Sequence, residues 1–124
     1  MKKIIATEKA PAALGPYAQA VLIDGTLYGS GQLGICPQTG QLVETFDAQV
    51  KQVMDNIGAV LHAAEMDYNN IVKTMIFVDD LANFDALNVI YARYFDAETP
   101  ARSCVQAAKI PKGAKVEIEF IAVK

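Results

Sequence analysis

The run from Val116 to Val123 constrains the fold more tightly than any other part of the chain. Its side chains alternate: Val116, Ile118, Phe120 and Ala122 point one way, while Glu117, Glu119, Ile121 and Val123 point the other. Apolar residues on both faces mark a strand that lies inside a sheet and is covered on both sides. Ile71 to Val78, rich in β-branched and aromatic residues, has the same two-sided character. Only two segments repeat with a helical period, and crossover helices on one side of a sheet cover only that face. The other face therefore calls for another subunit, and a homo-oligomer is expected.

The first helical segment carries Phe46, Val50, Val53, Met54, Ile57, Val60, Leu61 and Ala64 on one stripe, with Thr45 in the capping position. The second places Phe84, Leu87, Ile90, Tyr91 and Tyr94 on a stripe. Val21-Leu22-Ile23, Asp24-Gly25 and Thr26-Leu27-Tyr28 read as a hairpin, because Asp-Gly suits a two-residue turn. Gly29 to Gln41 reads as a loop, with Gly31, Gly34, Pro37 and Gly40 breaking any pattern. Pro100 stops a helix; Arg102 to Ala107 is strand-like, Lys109 to Lys115 is loop, and the two-sided strand closes the chain. The order is strand, helix, strand, helix, strand, strand.

A chain of 124 residues fits a single domain spanning 1–124. Hydrophobic residues make up 52% and charged residues 20%, enough to build a core and too little charge for disorder. The net charge of −3 argues against a protein that grips phosphate backbones, so no nucleic-acid partner is expected. No apolar run approaches the length of about 20 residues that a bilayer needs, and the N-terminus lacks a leader-like apolar core. Cys36 and Cys104 stand far apart with no paired spacing. Reduced thiols and a cytoplasmic location are the simple expectation.

Gly29-Ser30-Gly31-Gln32-Leu33-Gly34 satisfies GxGxxG literally, yet the turn-rich Ile35-Cys36-Pro37-Gln38-Thr39-Gly40 follows where a dinucleotide site needs a helix. His62, the only histidine, falls on the first helix with no second histidine to share a metal. Asp79-Asp80 reads as a helix entry, with Asp80 near the cap. Cys104 shares a strand face with Arg102, whose guanidinium would lower a thiol pKa; the competing reading is a small apolar strand residue. Arg102 follows the stiffened Pro100-Ala101, and Glu117 interrupts an almost wholly apolar strand, so it is expected to be partly buried. A buried carboxylate is either paired or raised in pKa, which leaves a structural Arg–Glu pair and a catalytic role equally open.

The chain resembles the Rid family of enamine/imine deaminases, the YjgF group. The likeness is carried by Pro100-Ala101-Arg102-Ser103 with Val105, Ala108 and Ile110, then Val116-Glu117-Ile118. It continues through Gly15-Pro16-Tyr17, Ser30-Gly31-Gln32, Ile71-Val72-Lys73-Thr74 with Phe77-Val78, and Phe84 with Asn88. The resemblance implies an α+β, chorismate-mutase-like mixed sheet with two helices packed on one face. It also implies a homotrimer with clefts between subunits, and a last strand lying between the first two core strands.

By position, the resemblance makes Arg102 the clamp for a substrate carboxylate and Glu117 the group that orients and activates water. Tyr17 and Asn88 would line the cleft, and backbone groups near Ser30, Gly31 and Cys104 would hold substrate and water. Cys104 then matters as pocket wall and not as a nucleophile. The implied reaction is hydrolysis of 2-imino acids, released by pyridoxal-phosphate dehydratases, to 2-keto acids and ammonia. A protonated imine is electrophilic enough for this without a metal or cofactor. The alternative is a sensor that binds keto or amino acids in the same clefts without turnover. Two departures from the family, Gly34 in place of a common proline and a short Phe95–Thr99 segment, bear on the cleft mouth.

Overall fold

A computed structural model describes residues 1–124. Six strands form one sheet: β1 (Lys3–Ile5), β2 (Ala20–Ile23), β3 (Thr26–Leu33), β4 (Ile71–Val78), β5 (Ala101–Gln106) and β6 (Val116–Val123). Their order across the sheet is β1-β2-β3-β6-β4-β5. β6 is antiparallel to both β3 and β4, while β4 and β5 run parallel. The last strand in sequence is thus central, as its two-sided composition requires.

Two helices, α1 (Phe46–Ala63) and α2 (Phe84–Ala92), connect β3 to β4 and β4 to β5. Thr45 caps α1 by accepting the Ala48 N–H at 3.1 Å. Asp80 accepts the Ala82 N–H at 2.9 Å and opens the short 3₁₀ turn that leads into α2. Both helices press their apolar stripes onto one sheet face, where Leu27, Ile76, Val78, Val116, Ile118, Phe120 and Ala122 join Val50, Val53, Ile57, Leu61 and Leu87 in a single core. Gln49, almost fully buried, donates to the Val43 carbonyl at 2.9 Å and accepts the Lys115 N–H at 2.8 Å, tying α1 to the entry of β6. The opposite face, with Tyr28, Val105, Glu119 and Val123 exposed, has no covering layer within the chain.

The Asp24-Gly25 turn forms as expected, with Asp24 at φ 48° and Gly25 at φ 78°, the positive values that a two-residue hairpin turn demands. The expected loop from Gly29 to Gln41 is corrected: β3 runs on through Leu33. Between Gly29 and Gln32 the strand advances three residues while β6 moves from Phe120 to Ile118, a bulge centred on Ser30-Gly31. Glycine stands here because side chains of β6 occupy its space. A Cβ on Gly29 would enter the Phe120 ring, and one on Gly31 would land on the Glu117 carboxylate. The GxGxxG segment therefore serves strand packing.

Strand β1 carried no periodic signal in the sequence and forms by pairing Lys3–Ile5 with β2. His62 is exposed on α1, and α2 ends at Ala92, so Tyr94 lies just beyond the helix and closes onto it through its N–H to the Tyr91 carbonyl. At Gly34, a Cβ would stand 2.8 Å from the Gln49 Cα, so the glycine lets α1 approach the end of β3. No helix is long and apolar enough to cross a membrane.

Candidate active site

Glu117 lies on the uncovered face of β6, with Leu33 of β3 and Phe77 of β4 as its cross-strand partners. These apolar neighbours take water from the carboxylate, and burial raises the Glu117 pKa above the ordinary 4.5. The negative charge of Glu119, two residues on along the same face, raises it further. No cation pairs with Glu117 within the chain. Leu14, Gly15, Pro16, Tyr17, Ser30, Gly31, Leu33, Pro111, Glu117 and Glu119 together line a cleft of about 580 Å³. Four of the sequence-predicted residues, Tyr17, Ser30, Gly31 and Glu117, thus meet there.

Backbone and side-chain bonds fix that cleft from below. The Ser30 hydroxyl donates to the Ala18 carbonyl at 2.6 Å, and the Ser30 N–H donates to the Gln19 carbonyl at 3.0 Å. The Tyr17 hydroxyl accepts the Leu14 N–H at 3.0 Å, holding the ring as part of the wall. Leu14, Pro111 and Glu119 were not picked out in the sequence. Only Glu119 left a trace there, as the second charge on the outward face of the last strand.

Arg102 stands elsewhere. In register it faces Thr74, which faces Phe120 in turn, so its side chain leaves the sheet on the helix side. Its guanidinium carbon lies 5.4 Å from the Phe84 ring centroid and 5.2 Å from that of Tyr91, both on α2. Tyr91 is itself anchored, since its hydroxyl shares a 2.7 Å hydrogen bond with buried Thr74. Asn88 falls one helical turn after Phe84 and three residues before Tyr91, on the stripe that brackets the guanidinium. The half-buried Arg102 has no acidic partner among the ion pairs of the chain.

Two readings that the sequence leaves open are decided by the geometry. The Arg–Glu pair does not form within the chain: Glu117 aligns with Phe77 and Arg102 with Thr74, on opposite faces and two strands apart. Strand spacings put their Cα atoms about 14 Å apart, with the side chains diverging. Nor is the Cys104 thiol activated, because burial against the core raises its pKa and outweighs the opposing Arg102 charge. A thiol that resists ionisation is a poor nucleophile, which agrees with a wall residue.

Residues 7–124 match the family model described as Endoribonuclease L-PSP. A Bos taurus protein named 2-iminobutanoate/2-iminopropanoate deaminase is 50% identical over 100% of this chain and 91% of its own length. The crystal structure of RidA from an Antarctic Psychrobacter superposes with a TM-score of 0.97 at 45% identity, covering 98% of this chain and 99% of that one. That of Escherichia coli TdcF with bound serine gives 0.95 at 42% identity, covering 98% of each chain. The chain belongs to the Endoribonuclease L-PSP family, which takes in the Rid and YjgF proteins.

Proposed function

We propose that this protein is a 2-iminobutanoate/2-iminopropanoate deaminase that hydrolyses reactive 2-imino acids at clefts between the subunits of a homotrimer. The observation that carries this reading is the state of Arg102: a half-buried guanidinium bracketed by Phe84 and Tyr91, with no acid of its own. Such a cation is poised for a carboxylate, which its planar fork can take through two parallel hydrogen bonds. The relative TdcF, crystallised with serine, holds a ligand of the same carboxylate class.

Arg102 and the Glu117 cleft are too far apart, and too differently directed, to serve one small molecule within a chain. The uncovered sheet face, where Tyr28, Val105 and Val123 are exposed, supports its burial by other copies. Assembly brings the Arg102 edge of one subunit to the Glu117 cleft of the next. The substrate carboxylate then rests on Arg102, and its imine carbon faces the water held by Glu117. Glu117 takes a proton as the water oxygen bonds to C2, forming a carbinolamine. That proton passes to the nitrogen, the C–N bond breaks as Glu117 takes the hydroxyl proton to form the C=O, and ammonia leaves with the 2-keto acid. Base assistance of this kind contributes typically ~10²–10⁴-fold, the rest coming from fixed geometry.

Nothing in the cleft favours the ribonuclease that the family name mentions. Glu117 and Glu119 line it, in a chain of net charge −3, and both would repel a phosphate backbone. The test is to couple purified protein to a threonine dehydratase and follow keto-acid release with a chemical trap. Faster release than the spontaneous rate is expected. An unchanged rate with assembled protein would sink the proposal.

A further inference from the structure

One buried side chain outside the site is bonded to the segment that leads into the cleft wall. Gln19, just before β2, is only 6% exposed. Its Oε1 accepts the Thr7 N–H at 2.7 Å. Its Nε2 donates to the Pro11 carbonyl at 2.7 Å and the Thr7 carbonyl at 3.1 Å, with a longer contact of 3.4 Å to the Ala10 carbonyl. Every one of these bonds goes to a single limb, Thr7 to Pro11, and none to the strand ladder.

The segment beyond that limb has little else to hold it. From Ala12 to Tyr17 no residue belongs to a strand or helix. Its internal bonds are the Leu14 N–H to the Tyr17 hydroxyl and the Tyr17 N–H to the Gly15 carbonyl, at 3.0 and 2.8 Å. Leu14 and Tyr17 are about half exposed, at 55% and 47%. Yet Leu14 to Tyr17 form one wall of the Glu117 cleft. A buried amide is tolerated when its donors and acceptor are satisfied, and the Thr7–Pro11 limb satisfies those of Gln19.

We propose that Gln19 is a positioning residue: by gripping Thr7 and Pro11 it sets the distance between the Leu14–Tyr17 wall and Glu117. Its effect on turnover rests on the deaminase reading given above; the clamp itself does not. Gln19→Met keeps the length of the side chain and removes its polar atoms. Gln19→Glu keeps the acceptor for Thr7 and turns an anion toward the carbonyls, and it serves if the methionine variant does not assemble.

Hydrogen exchange of the intact protein tests the clamp without any substrate. Loss of these bonds is expected to speed exchange over residues 7–17 by about tenfold or more, while β3, β6 and α1 keep their protection. Unchanged protection over residues 7–17 overturns the clamp, whatever the enzyme does. In the coupled imine assay, Gln19→Met is expected to raise KM roughly tenfold with kcat held within about twofold, and to add nothing further to KM in a Tyr17→Ala background. A general loss of stability would instead lower the active fraction by the same factor in both backgrounds, and that pattern overturns the positioning role. A wild-type protein that hydrolyses no imine defeats the deaminase reading, and exchange then decides the clamp alone.

Discussion

Gly31→Ala separates catalysis from folding at one atom. A Cβ at Gly31 would stand 2.9 Å from Glu117 Cδ and 3.1 Å from Cγ, and would clash hardest with Oε2. The carboxylate must therefore swing aside by about 1 Å. The backbone of Gly31 is not among the positive-φ glycines, so alanine fits its conformation. Glu117 is flexible and half-exposed, and rotating it off its preferred angles costs about 0.5–1.5 kcal/mol. Replacing a strand glycine by alanine returns roughly 0.5–1 kcal/mol, so net stability should change by less than about 1 kcal/mol.

The chemical step should suffer far more. Misplacing a catalytic group by about 1 Å costs on the order of 10²-fold in rate, or about 2.7 kcal/mol of barrier. The assay is coupled imine hydrolysis beside a denaturant melt and a titration of 2-ketobutyrate binding. Expected are an intact melt, retained keto-acid binding through Arg102, and kcat lowered about 100-fold. Wild-type turnover in Gly31→Ala would refute the placement of Glu117 as the water-activating group. So would a loss of folding comparable to the loss of rate.

Gly29→Ala should behave in the opposite way, because its Cβ meets the buried Phe120 ring; a loss of about 1–3 kcal/mol in the denaturant melt is expected, and an unchanged melt would count against that packing. Arg102→Lys should weaken keto-acid binding nearly as much as Arg102→Ala, since a point charge cannot reproduce the fork; calorimetric titration showing wild-type affinity for the lysine variant would remove the bidentate clamp. As the proposed base Glu117 has to be ionised, and burial raises its pKa, so activity should fall on acidification at a pH above the ordinary 4.5, as kcat/KM profiles corrected for spontaneous hydrolysis would show. A limb at or below 4.5 would contradict the desolvated setting of Glu117.

Much of the frame was legible because periodicity is a property of the chain itself. Val116–Val123, Ile71–Val78 and the α1 stripe all appear where the spacing puts them. Gly29–Leu33 escaped because its side-chain alternation is supplied by β6: the Phe120 ring fills the place at Gly29, and Glu117 that at Gly31. No pattern within a segment reports what another segment inserts. The relation of Arg102 to Glu117 was hidden for a similar reason. Register alone puts Arg102 level with Thr74 and Glu117 level with Phe77, and strand order alone sets β4 between β5 and β6. Residue chemistry singled out both side chains and family likeness implied their roles, but only the sheet shows that they face apart. Gln19 carried no signal at all, since an isolated glutamine between two alanines looks like any surface residue.

In the proposed assembly each site takes Arg102 from one subunit and Glu117 from another, and mixing subunits tests that pairing. Arg102→Ala and Glu117→Gln variants, each inactive alone, would be dissociated, combined in equal amounts and allowed to reassemble. A cleft regains both groups when its Arg102 comes from a Glu117→Gln chain and its Glu117 from an Arg102→Ala chain. Random assembly gives that pairing in about a quarter of clefts, so about a quarter of wild-type activity should return. Mixtures that exchange subunits, as mass spectrometry would verify, yet stay inactive would contradict a site built from two chains.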